Sequence, residues 1–229
     1  MDIVNETKLT RSTVHRILRV LVEERTVAQD PETRRYLIGD EVLFMGLARN
    51  VRLRIKTVAD PFLARIAQQI GDTVFLTIRN GYDSLCVDRK LGSYPIKVLS
   101  IEVGARRPLG IGVGSLALLS FLPDQEVTDI IATNLPRLAR TGLTEKRLLQ
   151  EIRDTRERGY AYAEDAVVKG TKAIGVAVLN DSGEPVAGLS VVAIKDRLLQ
   201  AKVPALARLL LKEAQAISVQ LAEAKRKNR

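Results

Sequence analysis

Residues Leu9 to Leu21 constrain the fold more than any other stretch of this chain. Val14, Ile17, Leu18 and Leu21 recur at helical spacing and form one apolar stripe that has to be buried. The other face carries Arg11, Ser12, His15, Arg16 and Arg19, and no acidic residue falls between Lys8 and Val22. A short helix with hydroxyls and guanidiniums opposite a narrow apolar stripe suits a major groove. Its hydroxyls can take phosphates and its arginines can reach guanine edges. A charged face is also what any solvated helix shows, so the flanking residues have to decide.

Upstream, residues 2–7 read as a short helical turn, followed by a turn at Lys8-Leu9. Thr10 or its neighbour is the candidate N-cap, and the Ser/Thr residues crowd a first turn whose free N–H groups can also hold a phosphate. Downstream, Thr26 to Gln29 reads as a strand, Asp30-Pro31-Glu32-Thr33 as a turn, and Arg34 to Ile38 as the return strand. Helix, tight turn, basic helix and hairpin in that order make a winged helix-turn-helix, with Arg34 and Arg35 placed to follow the phosphate backbone.

Beyond the hairpin, residues 39–55 read as one helix with Val42, Leu43, Met45, Gly46 and Leu47 on its apolar side. From Lys56 onward helices and strands alternate. Asp60-Pro61 is expected to open a helix that Gly71 closes. Strands are expected over Thr73–Ile78, Ser84–Asp88, Ile96–Ile101, Ala173–Leu179 and Pro185–Ile194, and helices over Ser115–Leu122, Thr144–Arg158 and Pro204–Lys225. A mixed sheet with helices packed on it is the natural assembly. Gly110-Ile111-Gly112-Val113-Gly114-Ser115, running into a helix, brings backbone close to a ligand and aims free N–H groups at an anion such as a carboxylate. Its spacing is neither a dinucleotide fingerprint nor a P-loop, and no cofactor is expected.

Composition narrows the function class. The chain has 229 residues, 46% of them hydrophobic, which is enough for a packed core. No membrane span or signal-peptide pattern is present, and the single cysteine, Cys86, rules out an internal disulfide, so a cytoplasmic location is expected. The net charge is +9, yet residues 1–60 hold eleven Lys/Arg against nine Asp/Glu, so the local cluster argues for nucleic acid better than the total does. His15 is the only histidine and lies in a different expected domain from Cys86, so a Cys–His pair and a histidine-rich metal site are both excluded within one chain. We expect no metal and no enzyme.

Ser12-Thr13-Val14-His15-Arg16, then Asp30-Pro31 with Tyr36-Leu37-Ile38-Gly39, resembles the DNA-binding domain of the IclR family of bacterial transcriptional regulators. The resemblance continues through Gly71-Asp72-Thr73-Val74, Asp88-Arg89, Arg107-Pro108-Leu109, Leu122-Pro123, Gly159-Tyr160-Ala161 and Pro185-Val186-Ala187-Gly188-Leu189-Ser190-Val191, in order along the chain. It implies an α+β protein: a winged helix-turn-helix over residues 1–38, a linker helix over 39–55, and a GAF-like effector-binding and oligomerisation domain over 56–229. The family's domain opens with a further helix that does not precede Met1 here. A start placed too far downstream is the expectation, and the alternative is an effector-binding chain without competent DNA binding.

The resemblance also implies partners and sites. Operator DNA would be read by a dimer, with a tetramer common in the family. Arg16 and His15 are expected at base edges, and Thr10, Arg11, Ser12, Thr13, Arg19, Arg34 and Arg35 at the surrounding contacts. The effector pocket maps onto Ile96, Leu99, Val113, Gly114, Ala163, Glu164, Ala173, Ser190 and Val192. The family's usual cysteine falls at Ala173, a second serine at Val192 and an acidic residue at Ala163. The usual histidine and lysine of the glycine-rich turn become Gly110 and Leu116. A wall that has lost polar partners is expected to favour an organic acid larger or more apolar than glyoxylate or pyruvate, with its carboxylate at Gly114 and Ser190.

Overall fold

The computed structural model describes residues 2–42, 45 and 51–226. The chain divides into two compact units, Met1–Arg54 and Ile55–Arg229.

In the first unit, α1 (Asp2–Thr7) and α2 (Arg11–Glu23) are joined by a tight turn in which Lys8 takes a positive φ of 56°. Thr10 caps α2, its hydroxyl accepting from the N–H of Thr13 at 3.3 Å. Val14 and Leu18 are buried and Leu21 is half-buried, but Ile17 is 43% exposed, so the expected stripe is narrower by one residue. Strands β1 (Val27–Gln29) and β2 (Tyr36–Ile38) pair antiparallel, with Val27 opposite Ile38. Asp30 Oδ1 accepts from the N–H groups of Glu32 and Thr33 and closes the hairpin tip. Of the helix expected over 39–55, Leu43, Gly46, Leu47 and Arg49 lie outside the described residues, while Val42 and Met45 are exposed.

The backbone is helical from Val51 to Ile70 (α3), so Pro61 lies inside a helix and does not open one. Losing one helical donor costs about 3 kcal/mol. Burying Ile55, Ala59, Phe62, Leu63 and Ile66 along one face returns about 2 kcal/mol for each large side chain, and burial prevails.

The second unit is built on one sheet. Its strands are β3 (Thr73–Asn80), β4 (Asp83–Lys90), β5 (Arg106–Pro108), β6 (Ala161–Glu164), β7 (Thr171–Leu179) and β8 (Pro185–Ile194), in the order β5-β4-β3-β8-β7-β6. Every pairing is antiparallel, which corrects the expectation of a mixed sheet. Hairpins join β3 to β4 and β7 to β8, so neighbours along the chain become antiparallel neighbours in space.

Alternation along the strands divides the core in two. Val74, Leu76 and Ile78 of β3, Ile174, Val176 and Val178 of β7, and Leu189 and Val191 of β8 face α3 and the last helix α7 (Val203–Arg226). Arg65 of α3 pairs with the buried Glu213 of α7 on that side. The opposite face carries α4 (Val113–Ser120), α5 (Asp124–Ala139) and α6 (Glu145–Arg158). Helix α4 is buried at all eight positions, consistent with its uniformly apolar and small residues. Arg156 of α6 secures its end by donating to the carbonyls of Ser120 (2.5 Å) and Leu122 (3.2 Å) and to Asp124 Oδ1 (2.7 Å).

The strand expected over Ile96–Ile101 does not form, and the segment is irregular. Side chains claim two of its carbonyls, Arg107 donating to Ser100 and Arg89 to Ile101 (3.2 Å), and its own Lys97 donates back to the carbonyls of Gly92 and Tyr94. Helix α5 and strands β5 and β6 lie outside the elements expected from the sequence.

Helix α4 rests on the sheet through backbone. A Cβ at Gly175 would lie 2.5 Å from the Val113 carbonyl, and one at Gly188 would lie 2.1 Å from the Gly114 oxygen. Gly188→Ala must therefore push α4 off β8, and a loss of about 3 kcal/mol is expected in urea unfolding. Cys86 on β4 is fully buried beside Phe75, Val98 and Val192, and burial pushes its thiol up to about 11. Reaction of the folded protein with a thiol reagent at pH 7.5 should therefore follow unfolding, rising in step with denaturant. A rapid stoichiometric reaction without denaturant would contradict this placement.

Candidate functional site

Two surfaces carry chemistry, one in each unit. In the first unit, Thr10, Arg11, Ser12, His15, Arg16 and Arg19 are exposed along α2, and Thr13 is half-buried. Thr10 Oγ1 lies 3.1 Å from Ser12 Oγ and 2.9 Å from Thr13 Oγ1, a knot of hydroxyls over the first turn of a helix with no acidic residue there. Arg19 forms an ion pair with Glu23 (3.6 Å), one turn on. Among the described residues, Arg11, Arg16, Arg34 and Arg35 enter no ion pair, and both wing arginines are exposed at the hairpin. Arg34 adopts a φ of 59°, set by its hydrogen bond back to the Asp30 carbonyl (2.9 Å).

In the second unit, an inner cavity of about 60 Å³ opens beside the start of α4. Gly112, at φ 84°, turns the chain into the helix with a geometry that disfavours any other residue. The first-turn N–H groups of Val113, Gly114 and Ser115 have no helical acceptor. Ser115 Oγ is occupied, accepting from the Gly110 N–H at 2.8 Å. Facing this turn across the sheet surface are Ser190 of β8 and Thr77 of β3, 5% and 7% exposed. A side chain at Gly114 would stand 3.0 Å from Ser190 Oγ and 3.5 Å from Thr77 Oγ1. Neither hydroxyl has a hydrogen-bond partner among the described residues, so both are left for something in the cavity. Alternation along β3 puts Thr77 on this face with Phe75, opposite Leu76 and Ile78, and the register slip beside it is taken up by Val87 on β4.

Six of the residues expected at the pocket line the inner cavity: Val113, Gly114, Ala163, Ala173, Ser190 and Val192. Three expectations need correction. Ile96 and Leu99 are 56% and 54% exposed and line neither cavity, and Ser100 and Ile101 of the same irregular segment take their place. Glu164 lines a second, outer cavity, and its carboxylate is engaged by Lys195 (2.9 Å) and Lys172 (3.9 Å). The inner wall is also less apolar than expected, because Thr77, Ser84, Ser100 and Thr171 add hydroxyl-bearing residues. Thr77 was missed although its alternation with Leu76 and Ile78 places it opposite the apolar face.

The outer cavity has a volume of about 590 Å³ and shares Ile111, Gly112, Val113, Ala163, Ala166 and Val167 with the inner one. Residues 166–170 form a short loop over both. Asp165, at φ 57°, fastens its base: its N–H donates to Thr171 O (2.9 Å), and Oδ1 accepts from Gly170 N–H (2.6 Å). Lys195 binds Oδ2, and these contacts hold the Asp165 carboxyl below its usual pKa and raise that of Lys195. Among the described residues, no group of three or more His, Cys, Asp or Glu is placed to hold a metal, and no helix is long and apolar enough to cross a membrane.

Comparison with known proteins covers both units. Residues 1–31 match the IclR helix-turn-helix domain, and residues 48–219 match the bacterial transcriptional regulator IclR C-terminal domain. The transcriptional repressor AllR of Salmonella typhimurium is 30% identical over 222 residues, 96% of this chain and 81% of that protein. The transcriptional regulator KipR of Bacillus subtilis is 27% identical over 205 residues, 89% of this chain and 81% of that protein. Among solved structures, the Thermotoga maritima IclR aligns with a TM-score of 0.69 at 24% identity, covering 96% and 89% of the two chains. An IclR homolog from Microbacterium hydrocarbonoxydans, complexed with 4-hydroxybenzoate, aligns at 0.81 with 21% identity over 97% and 90%. These last two likenesses establish the fold. Taken with the helix-turn-helix and the domain behind it, the matches show that the chain belongs to the IclR family of bacterial transcriptional regulators, which bind DNA.

Proposed function

We propose that the chain is a ligand-responsive regulator whose operator binding is set by a carboxylic acid held in the inner cavity. The observation that carries this reading is the pair of hydroxyls on the buried residues Thr77 and Ser190, open to the cavity and facing the free N–H groups at the start of α4. A carboxylate would accept from all of these donors at once. On the measure by which one water needs about 10–15 Å³, a cavity of about 60 Å³ takes a carboxylate and a few atoms beyond it. The rest of the ligand would extend into the outer cavity, which favours an acid larger than glyoxylate or pyruvate. The complex of the Microbacterium homolog with 4-hydroxybenzoate, an aromatic carboxylate, supports an acid of that kind.

The proposal places α2 in the major groove, with Arg16 and His15 at base edges. Thr10, Arg11, Ser12, Thr13 and Arg19 would lie along the backbone, with the wing pair Arg34 and Arg35 on phosphates. Two such units in a homodimer would read a near-palindromic operator, and a homotetramer through residues 56–229 would place two dimers on DNA. Effector binding would act through residues 39–55 by favouring one arrangement of the DNA-binding units over another. The activity proposed is regulation and not catalysis.

Three variants test these assignments. Arg16→Ala should lose discrimination worth about 1–3 kcal/mol between the operator and a single-base variant of it, measured by gel shift on DNA flanking the gene. Arg35→Ala should weaken binding to every sequence alike and reduce the slope of log affinity against log salt by about 1. Unchanged discrimination in the Arg16 variant would remove it from the base edges. In the cavity, aromatic acids such as benzoate should raise the melting temperature more than glyoxylate or pyruvate does. Ser190→Ala should weaken benzoate binding about tenfold, the value of one hydrogen bond to a charged group. Stabilisation by pyruvate alone would overturn the reading.

A further inference from the structure

Arg107 stands where the two cavities meet. On β5 it is level with Ser84 of β4, whose hydroxyl donates to the Arg107 carbonyl at 3.2 Å, and its guanidinium donates to the carbonyl of Ser100. Ser84 and Ser100 line the inner cavity, and Arg107 itself lines the outer one. The side chain is partly buried, and that burial lowers its pKa. Several arginines of this unit are matched to carboxylates, Arg79 to Glu126, Arg137 to Asp83, Arg147 to Glu151 and Arg156 to Asp124, whereas Arg89 and Arg158, like Arg107, are held by backbone carbonyls. Arg107 enters no ion pair among the described residues, and one carbonyl does not offset a desolvated charge that presents a fork of further N–H donors.

This charge is too far from Ser190 to serve the same carboxylate. Strands β5 and β8 are separated by β4 and β3, about 14 Å of backbone at the ordinary strand spacing. The register adds an offset along the strands, because Arg107 is level with Ser84 and Arg79, four residues along β3 from the Phe75 that pairs with Ser190. Together these exceed the reach of one arginine side chain. The geometry points to a two-headed ligand: a dicarboxylic acid with one carboxylate on Gly114, Thr77 and Ser190 and the second on the Arg107 guanidinium. The intervening carbon skeleton crosses the outer cavity along Ile111 and Val113, and the second carboxylate supplies the counter-ion that Arg107 lacks. Bidentate geometry makes arginine the side chain suited to that second head. This assignment rests on the effector reading of the inner cavity.

Arg89 provides a control within the same fold. It too holds a carbonyl of the irregular segment, that of Ile101, but it lines neither cavity. The test compares matched acids on the intact protein, benzoate with benzene-1,4-dicarboxylate and hexanoate with adipate, by thermal shift and titration calorimetry. Each diacid should bind about tenfold more tightly than its monoacid. Arg107→Gln should bring that ratio close to one while monoacid binding stays, and Arg89→Gln should leave the ratio unchanged. The ratio in the intact protein is decisive before any variant is made, and the retained monoacid response reports that a variant is folded. If monoacids bind and diacids gain nothing, or if the ratio survives in Arg107→Gln, the role given to Arg107 falls and the cavity reading stands. If acids of neither class shift the melting temperature, both fall together.

Discussion

The second unit depends on a contact in which no side chain takes part. The first turn of α4 sits directly on the backbone of β7 and β8 at Gly175 and Gly188, closer than a methyl group would permit. That approach brings the free N–H groups of a helix within reach of hydroxyls on the strands beneath it. It also explains why a helix of only eight residues is buried at every position, since it lies in the middle of the sheet face with α5 and α6 beside it. A helix held one side chain further from the sheet would leave a groove open to water in place of a polar floor.

Around that contact, irregular segments are held by cations in place of hydrogen-bond ladders. Arg156 satisfies the carbonyls at the end of α4, Lys97 and Arg107 secure the segment between β4 and β5, and Arg197 joins Asp72 to the Ile70 carbonyl at the end of α3. Each replaces a backbone partner with a charge-assisted bond, which is how a chain with so many loops near its cavity leaves few buried carbonyls unmet. Lys195 holds the base of the 166–170 loop differently, through the carboxylates of Asp165 and Glu164.

Legibility in the sequence followed locality. The turn, cap and basic face of α2, the hairpin after it, and the glycine-rich entry to α4 are signals within a few residues, and all are present as read. The long runs of β7 and β8 were legible because strands buried on both faces show as continuous small and branched residues. What escaped lay across the sheet. Thr77 stands on the cavity face by simple alternation, but nothing in its neighbours reports that the start of a distant helix is brought over it. Ile96 and Leu99 have the composition of a strand, yet their segment is pinned by side chains that come from elsewhere. Helix α5 did carry a helical signal, with Val127, Ile130, Ile131, Asn134 and Leu138 buried along one side, but Pro136 interrupts the pattern near its end. Pro61 misled in the same manner, because a breaker shows its local cost and not the burial that outweighs it.

The cavity separates what is fixed from what is free to vary. Its floor is main chain at Gly112 and Gly114, whereas its walls are single side chains projecting from strands whose other face is the core. Ala163, Ala173 and Val192 are small residues on those walls, and replacing any of them changes the volume above the floor. Specificity can therefore diverge in this lineage one wall residue at a time, and duplicated copies can acquire new chemical signals while inheriting the same scaffold.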